Sequence, residues 1–326
     1  MNGYAGVDFN DVALTADALD HALHAMLAAG VTGCLPTLIT AGADDLVARF
    51  AALDAAVERS RLGPLMVSGY HLEGPFLNAA AGFAGCHPAE AMALPETGLL
   101  ARLVALVRRP IRLLTLAPEL PGAKAVIGWA LGQGMVVAIG HSDVRAEGVA
   151  QAVAAGARVS THLGNGMAHG VHKFDNPLMA QLAEDRLTAC VIADGIHVPP
   201  GVLRAMMRAK GPGRCVLVTD AVAAAGAGPG RYGFAGMVVV GGADGSARTP
   251  EGALAGSTLT LDQAVRNVVG WGIADQTDAV AMASTLPAGV VGEAPRGRVI
   301  WDGGLRVVRT EVGGMVHAPP ATGARP

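Results

Sequence analysis

The chain has 326 residues, 51% of them hydrophobic and only 16% charged, which excludes a disordered protein and leaves room for one α/β barrel with an appendage. A formal net charge of −3 gives no electrostatic reason to expect a nucleic acid or an anionic membrane surface as partner. The mean hydropathy of +0.40 raises the question of a membrane span. The longest apolar stretch, Ala125–Gly140, is broken by Gly128, Gly132, Gln133 and Gly134, and falls short of the ~20 apolar residues a span needs.

In chain order, Ala-rich amphipathic runs alternate with short apolar β-rich ones, the pattern of a parallel sheet with crossover helices. A helix is predicted over 15–29, a strand at Val31–Pro36 and a helix over 42–60. A second strand follows at Leu65–His71, then a long loop, a helix over 97–108 and a third strand at Ile111–Leu116. Helices over 122–133 and 144–155 lead to strands at Met135–Ile139 and Ala157–Thr161. After another long loop come a helix over 176–184, a strand at Thr188–Ala193, a helix over 200–209 and a strand at Cys215–Thr219. A Gly-rich insertion, 224–256, carries a hairpin around Met237–Val240 and is followed by helices over 259–269 and 275–284. The tail is strand-like over Arg298–Val316 and closes on a Pro/Ala/Gly stretch expected to be loose.

These units make seven βα strands, one fewer than a closed barrel of this type. The expected architecture is therefore a TIM-type (β/α)8 barrel over 1–290 whose first strand is missing, its place being just upstream of Met1. Residues 291–326 would add the strands of a small second β domain and the tail. The cysteines, Cys34, Cys86, Cys190 and Cys215, are scattered with no CxxC pair, which suggests buried thiols in a reducing compartment. The first basic residue is Arg49, so no secretory leader is read, and the expected location is the cytoplasm.

The polar residues most unusual for their apolar surroundings fall at strand ends. Glu73, with His71, ends the second strand, His141 the fourth, His162 the fifth and Asp220 the seventh, while His197 follows the sixth. Catalytic groups of such barrels sit at the C-terminal ends of several strands. One carboxylate and two histidines converging there suit a divalent metal with an open coordination position, and a neighbouring Asp suits a general base for the attacking water. Each residue also has a plainer reading. Ser142 and Asp143 could cap the helix over 144–155, Asp220 could be an N-cap, His169 and His172 read as solvated loop residues, and His21 and His24 as a helix surface.

The segments HLEGPFLN (71–78), GCH (85–87), LAPE (116–119), IGHSD (139–143), THLGNGM (161–167), ADGIHV (193–198), LVTDA (217–221) and LAGSTLT (254–260), in this order over nearly the whole chain, resemble the N-acetylglucosamine-6-phosphate deacetylases of the amidohydrolase superfamily. The resemblance implies a metal-dependent TIM-barrel deacetylase with a small β-sandwich built from both chain ends, of which this chain would hold a remnant. By motif, Glu73, His141 and His162 would hold the metal, zinc first, with iron, manganese or cobalt as alternatives. Asp220 would be general base and then general acid. Cys86, His87, Asn165, Gly166 and His197 would meet the substrate, and Leu254, Ala255 and Gly256 would line its site. The partners implied are a small amino sugar and a second copy in a homodimer.

Three departures from the family stand out. Gly164 and Gly166 replace an aromatic residue and an alanine, which is expected to enlarge and loosen that part of the pocket. HKFDNP (172–177) stands where the family carries a phosphate-holding arginine, leaving Lys173 as the nearest cation, with Asp175 beside it. The opening MNGYAGVDFND begins in the middle of a family phrase, so Met1 is expected to stand for a family valine within a longer reading frame. The alternatives to this function are a related amidohydrolase acting on a different or unphosphorylated N-acetyl amino sugar, an inactive truncated barrel, and a phosphate-binding isomerase or aldolase. The last would want a catalytic Lys or Glu inside the barrel, and no strand-end lysine is present.

Overall fold

A computed structural model describes residues 1–318; the Pro/Ala/Gly end expected to be loose lies, from residue 319 on, outside the described residues. The chain opens with a two-residue antiparallel ladder, β1 (Gly3–Tyr4) on β2 (Val7–Asp8). Helix α1 (Ala16–Ala28) follows, its first turn capped by Thr15, whose hydroxyl accepts from the Ala18 amide. Leu19, Leu23 and Met26 recur at i, i+4 and i+7 and are fully buried. In α2 (Ala43–Arg59) the same spacing buries Leu46, Phe50, Leu53 and Val57.

The centre is an all-parallel sheet of seven strands lying side by side in chain order: β3 (Thr37–Ile39), β4 (Tyr70–Glu73), β5 (Ile111–Leu116), β6 (Val136–Ile139), β7 (Val159–Ser160), β8 (Thr188–Ile192) and β9 (Cys215–Val218). Helices between successive strands cover it, as parallel strands require. The register decides where the chemistry goes. Ile39 pairs with Glu73, Glu73 with Thr115, and Ile139 with Ser160, so Glu73 and the residues just past β6 and β7 reach one rim. Among the described residues β3 and β9 are the edges of this sheet, and a cavity of about 500 Å³ lined by residues of both strands lies there.

The insertion forms a four-stranded antiparallel sheet, β10 (Gly230–Phe234), β11 (Met237–Gly241), β12 (Ser246–Arg248) and β13 (Leu254–Ser257). The tail forms a three-stranded one, β14 (Arg298–Trp301), β15 (Val307–Val312) and β16 (Met315–His317). No helix among the described residues is long and apolar enough to cross a membrane, and all four cysteines are free.

Three expectations shift. The strand predicted at Val31–Pro36 starts at Thr37, because Pro36 has no N–H to give a ladder and only Cys34 makes an isolated bridge, to Val67. The strand predicted from Leu65 starts at Tyr70, since Gly63–Met66 is a helical turn with Pro64 in its favoured first-turn position. Ser142 and Asp143 do not cap the next helix, Ala146–Ala155: its N-cap, Arg145, makes no side-chain cap bond. Ser142 donates instead to Glu119 and accepts from the Val144 amide, while Asp143 pairs with Arg145.

Candidate active site

Glu73, the last residue of β4, places Oε1 3.0 Å from His162 Nε2 and 3.4 Å from His141 Nε2. The three residues are at most 6% exposed, and their nearest donor atoms all lie within 4.8 Å of one another. His141 and His162 have positive φ, +50° and +25°, and so does Asp220, at +48°. Such backbone costs a non-glycine residue about 1–3 kcal/mol and persists where surrounding structure imposes it, as at functional sites. Here it turns each side chain inward directly past its strand.

The donor set fits a divalent cation. A carboxylate oxygen faces two ring nitrogens, a combination typical of three-ligand zinc-type sites with an open position. The orientation of His141 is determined from behind. Its Nδ1 lies 2.7 Å from the carbonyl of Phe83, which can only accept, so Nδ1 carries a proton and Nε2 is the nitrogen that could serve as a ligand atom. Burial works against a charge on Glu73, yet the hydrogen bonds from His141 and His162 outweigh it and hold the carboxyl well below its usual range. Burial likewise opposes a charged His162, and the bond to Glu73 together with its negative charge raises that imidazole to about 9. A dication can replace such protons between carboxylate and imidazole.

The remaining candidates fall into three groups. His87 is buried beside His141, ring centroids 4.5 Å apart, with Nδ1 2.9 Å from Thr40 Oγ1; burial first, and the neighbouring His141, push it down to about 3, so it is neutral. Cys86 is half-buried and burial raises its thiol to about 12, which makes it a neutral contact and not a nucleophile. Asn165 folds over His162, with its amide N–H and its Nδ2 both 3.0 Å from the His162 carbonyl. Leu254–Gly256 lie on β13, which backs Asp220: the Ser257 amide donates to the Asp220 carbonyl at 2.9 Å. A Cβ at Gly256 would come 2.8 Å from that carbonyl, which is why glycine stands there. Lys173 stands apart, in an exposed loop with its ammonium 5.3 Å over the ring of Phe174. His169 and His172 are exposed in the same loop, and His21 and His24 on α1, as expected.

One expectation is overturned. At Gly164 there is open room, a Cβ meeting nothing nearer than 3.8 Å. At Gly166 the predicted enlargement is absent, because a Cβ would lie 2.7 Å from His141 Nδ1, and the backbone packs directly on that imidazole.

Sequence reasoning also missed residues. Asp194 takes His197 Nδ1 at 2.6 Å and accepts from the amides of Ile196 and His197. Burial disfavours its charge, but these bonds outweigh it and keep its carboxyl low. The signal was present in ADGIHV, three residues before the histidine. His71, already singled out with Glu73 at the end of its strand, points to Thr37 and Thr115, 3.2 and 2.8 Å away, and both ring nitrogens are engaged there. Asn2 Nδ2 lies 2.8 Å from Asp220 Oδ1, a contact that no local pattern announces.

No protein-family model matches the chain. It is 35% identical over 328 residues to an N-acetylgalactosamine-6-phosphate deacetylase of Escherichia coli O157:H7, covering 97% of this chain and 85% of that protein. It is 32% identical over 342 residues to an N-acetylglucosamine-6-phosphate deacetylase of Homo sapiens, covering 96% and 80%. The crystal structure of N-acetyl-D-glucosamine-6-phosphate deacetylase from Mycobacterium smegmatis matches with a TM-score of 0.87 and 31% identity, over 97% of this chain and 84% of that one.

Proposed function

We infer, from the chain's membership of the N-acetylglucosamine- and N-acetylgalactosamine-6-phosphate deacetylase family of amidohydrolases, that it hydrolyses the acetamide of an N-acetylhexosamine 6-phosphate. N-acetylglucosamine 6-phosphate is the substrate proposed, with glucosamine 6-phosphate and acetate as products. The galactosamine epimer is the second reading, because the Escherichia coli relative carries that name. The observation that carries the reaction is the convergence of Glu73, His141 and His162, with Asp220 lining the same cavity as Glu73 and His162.

Glu73, His141 and His162 would hold a divalent cation, zinc in the first instance. Such a cation, when bound, supplies a Lewis acid for the acetyl carbonyl and acidifies water toward neutral pH. Asp220 takes a proton from the attacking water as the C–O bond forms, then passes it to the sugar nitrogen as the C–N bond breaks, so the nitrogen leaves as a neutral amine and not as an amide anion. His87 and Cys86, neutral by burial, contact the acetyl group or the sugar without adding charge. Asn165, Gly166 and His197 grip the sugar, and Leu254, Ala255 and Gly256 shape its site from behind Asp220. Lys173 is the cation proposed for the phosphate, as a point charge without a guanidinium fork.

The finer architecture belongs to the same proposal. An eighth parallel strand between β3 and β9 would satisfy both open edges and close the sheet into a (β/α)8 barrel over 1–290. The strands of 291–326 would belong to a small sandwich, and the working form would be a cytoplasmic homodimer. The test is acetate release by metal-loaded protein from the two N-acetylhexosamine 6-phosphates and from their unphosphorylated sugars at equal concentration. The expected result is strong preference for a phosphorylated sugar. Acetate from none of the four would discard the substrate, and equal rates with and without phosphate would discard the role of Lys173.

A further inference from the structure

We propose that Asn2 is the positioning residue of Asp220, directing which carboxylate oxygen carries the proton during turnover; this rests on the general-base reading of Asp220. Asn2 is only 2% exposed and gives its Nδ2 to Asp220 Oδ1 at 2.8 Å. The backbone behind that amide cannot retreat. The Asn2 N–H donates to the Ala221 carbonyl at 2.7 Å, the Gly3 N–H reaches the same oxygen at 3.2 Å, and the Asn2 carbonyl accepts from the Phe9 amide at 2.9 Å.

Two further observations separate this contact from ordinary packing. The amide oxygen of Asn2 is buried without a hydrogen-bond partner. A structural asparagine in a core is retained because both ends of its amide are used; this one is held by a single charge-assisted bond, whose acceptor also dictates which way the amide faces. Asp220 itself sits just past an edge strand, in left-handed backbone. Its main chain is gripped between Asn2 and Ser257, through the bonds at Ala221 and at its own carbonyl. These bonds locate the Cα but leave the carboxylate free to rotate. The bond from Asn2 removes that freedom, keeps Oδ1 an acceptor, and leaves Oδ2 as the oxygen that takes up the proton and releases it.

The experiment uses the metal-loaded chain with the phosphorylated sugar it hydrolyses best. Asn2→Leu removes the donor at nearly constant volume, and Asn2→Ser shortens it for the case in which the leucine variant does not fold. Both are read by kcat, KM and bound metal. The expected result is a fall in kcat of roughly 10- to 100-fold, the worth of a hydrogen bond to a charged group, with KM within about twofold and metal content unchanged. The double variant Asn2→Leu/Asp220→Asn should be no slower than Asp220→Asn alone, since a residue that acts through another adds nothing once that one is gone. Unchanged kcat, a loss carried by KM or by metal content, or losses that multiply in the double variant would overturn the proposal. Asp220→Asn with near-normal turnover would instead remove the general-base reading itself.

Discussion

The two walls of the site are built differently. Glu73 belongs to β4 and the histidines follow β6 and β7, strands flanked on both sides within the sheet, and all three are buried. Asp220 follows β9, an edge strand among the described residues, and is half-buried. Its support comes from the chain's opening residues on one side and β13 on the other. The first wall is a product of the sheet core, while the second is assembled from segments outside it. A metal-holding wall of this kind should therefore tolerate damage around Asp220, and the two functions should come apart under mutation.

The sharpest way to break that comparison is to remove one group from each wall. Glu73→Gln should lose both metal and activity, because a neutral amide cannot balance a dication held by two neutral imidazoles. Asp220→Asn should keep its metal while kcat falls by about 10²–10⁴-fold, the range of general acid–base catalysis. Metal analysis beside acetate release checks both. If Asp220→Asn also loses its metal, the two walls are one unit.

A smaller effect sharpens the picture of the first wall. Gly166→Ala would set a methyl group 2.7 Å from His141 Nδ1 and force an alanine to φ +61°, so ring or loop must move. Displacing what orients a ligand costs about 10- to 100-fold in metal affinity or activity, and competition with a chelator measures the former. Wild-type affinity in this variant would mean that the Phe83 carbonyl alone holds the ring.

The smallest effect is expected at Lys173, in its exposed loop. A solvated point charge contributes up to about 1 kcal/mol, roughly fivefold. Lys173→Ala should therefore raise KM for the phosphorylated sugar several-fold, and that increase should fade at high salt. A change in kcat with KM unaltered would assign the loop to chemistry instead.

Much of this was readable in the linear chain, for reasons that are local. The βα alternation follows from periodicities of 2 and 3.6, and each candidate ligand sits where an apolar strand run breaks into a polar residue. Glu73, His141, His162 and Asp220 needed only the rule that strand ends share a rim. Boundaries failed where a local exception intervened, as at Pro36 and in the Gly63–Met66 turn.

The sequence by itself thus pointed to the reaction class, the candidate ligand residues and the strands that carry them, because these depend on residue identity and short-range pattern. Tertiary structure decided the rest: which nitrogen of His141 faces Glu73, why Gly166 has no room for a side chain, that Asp194 holds His197, and that Asn2 reaches Asp220 across 218 positions. Three of these four are contacts between segments remote in sequence, and no periodicity encodes them. Asp194 and His197 are close neighbours, but only the backbone turn between them aims the carboxylate at the ring. A hydrogen bond depends on a few tenths of an ångström and on direction, and those are set only when the separate segments have packed.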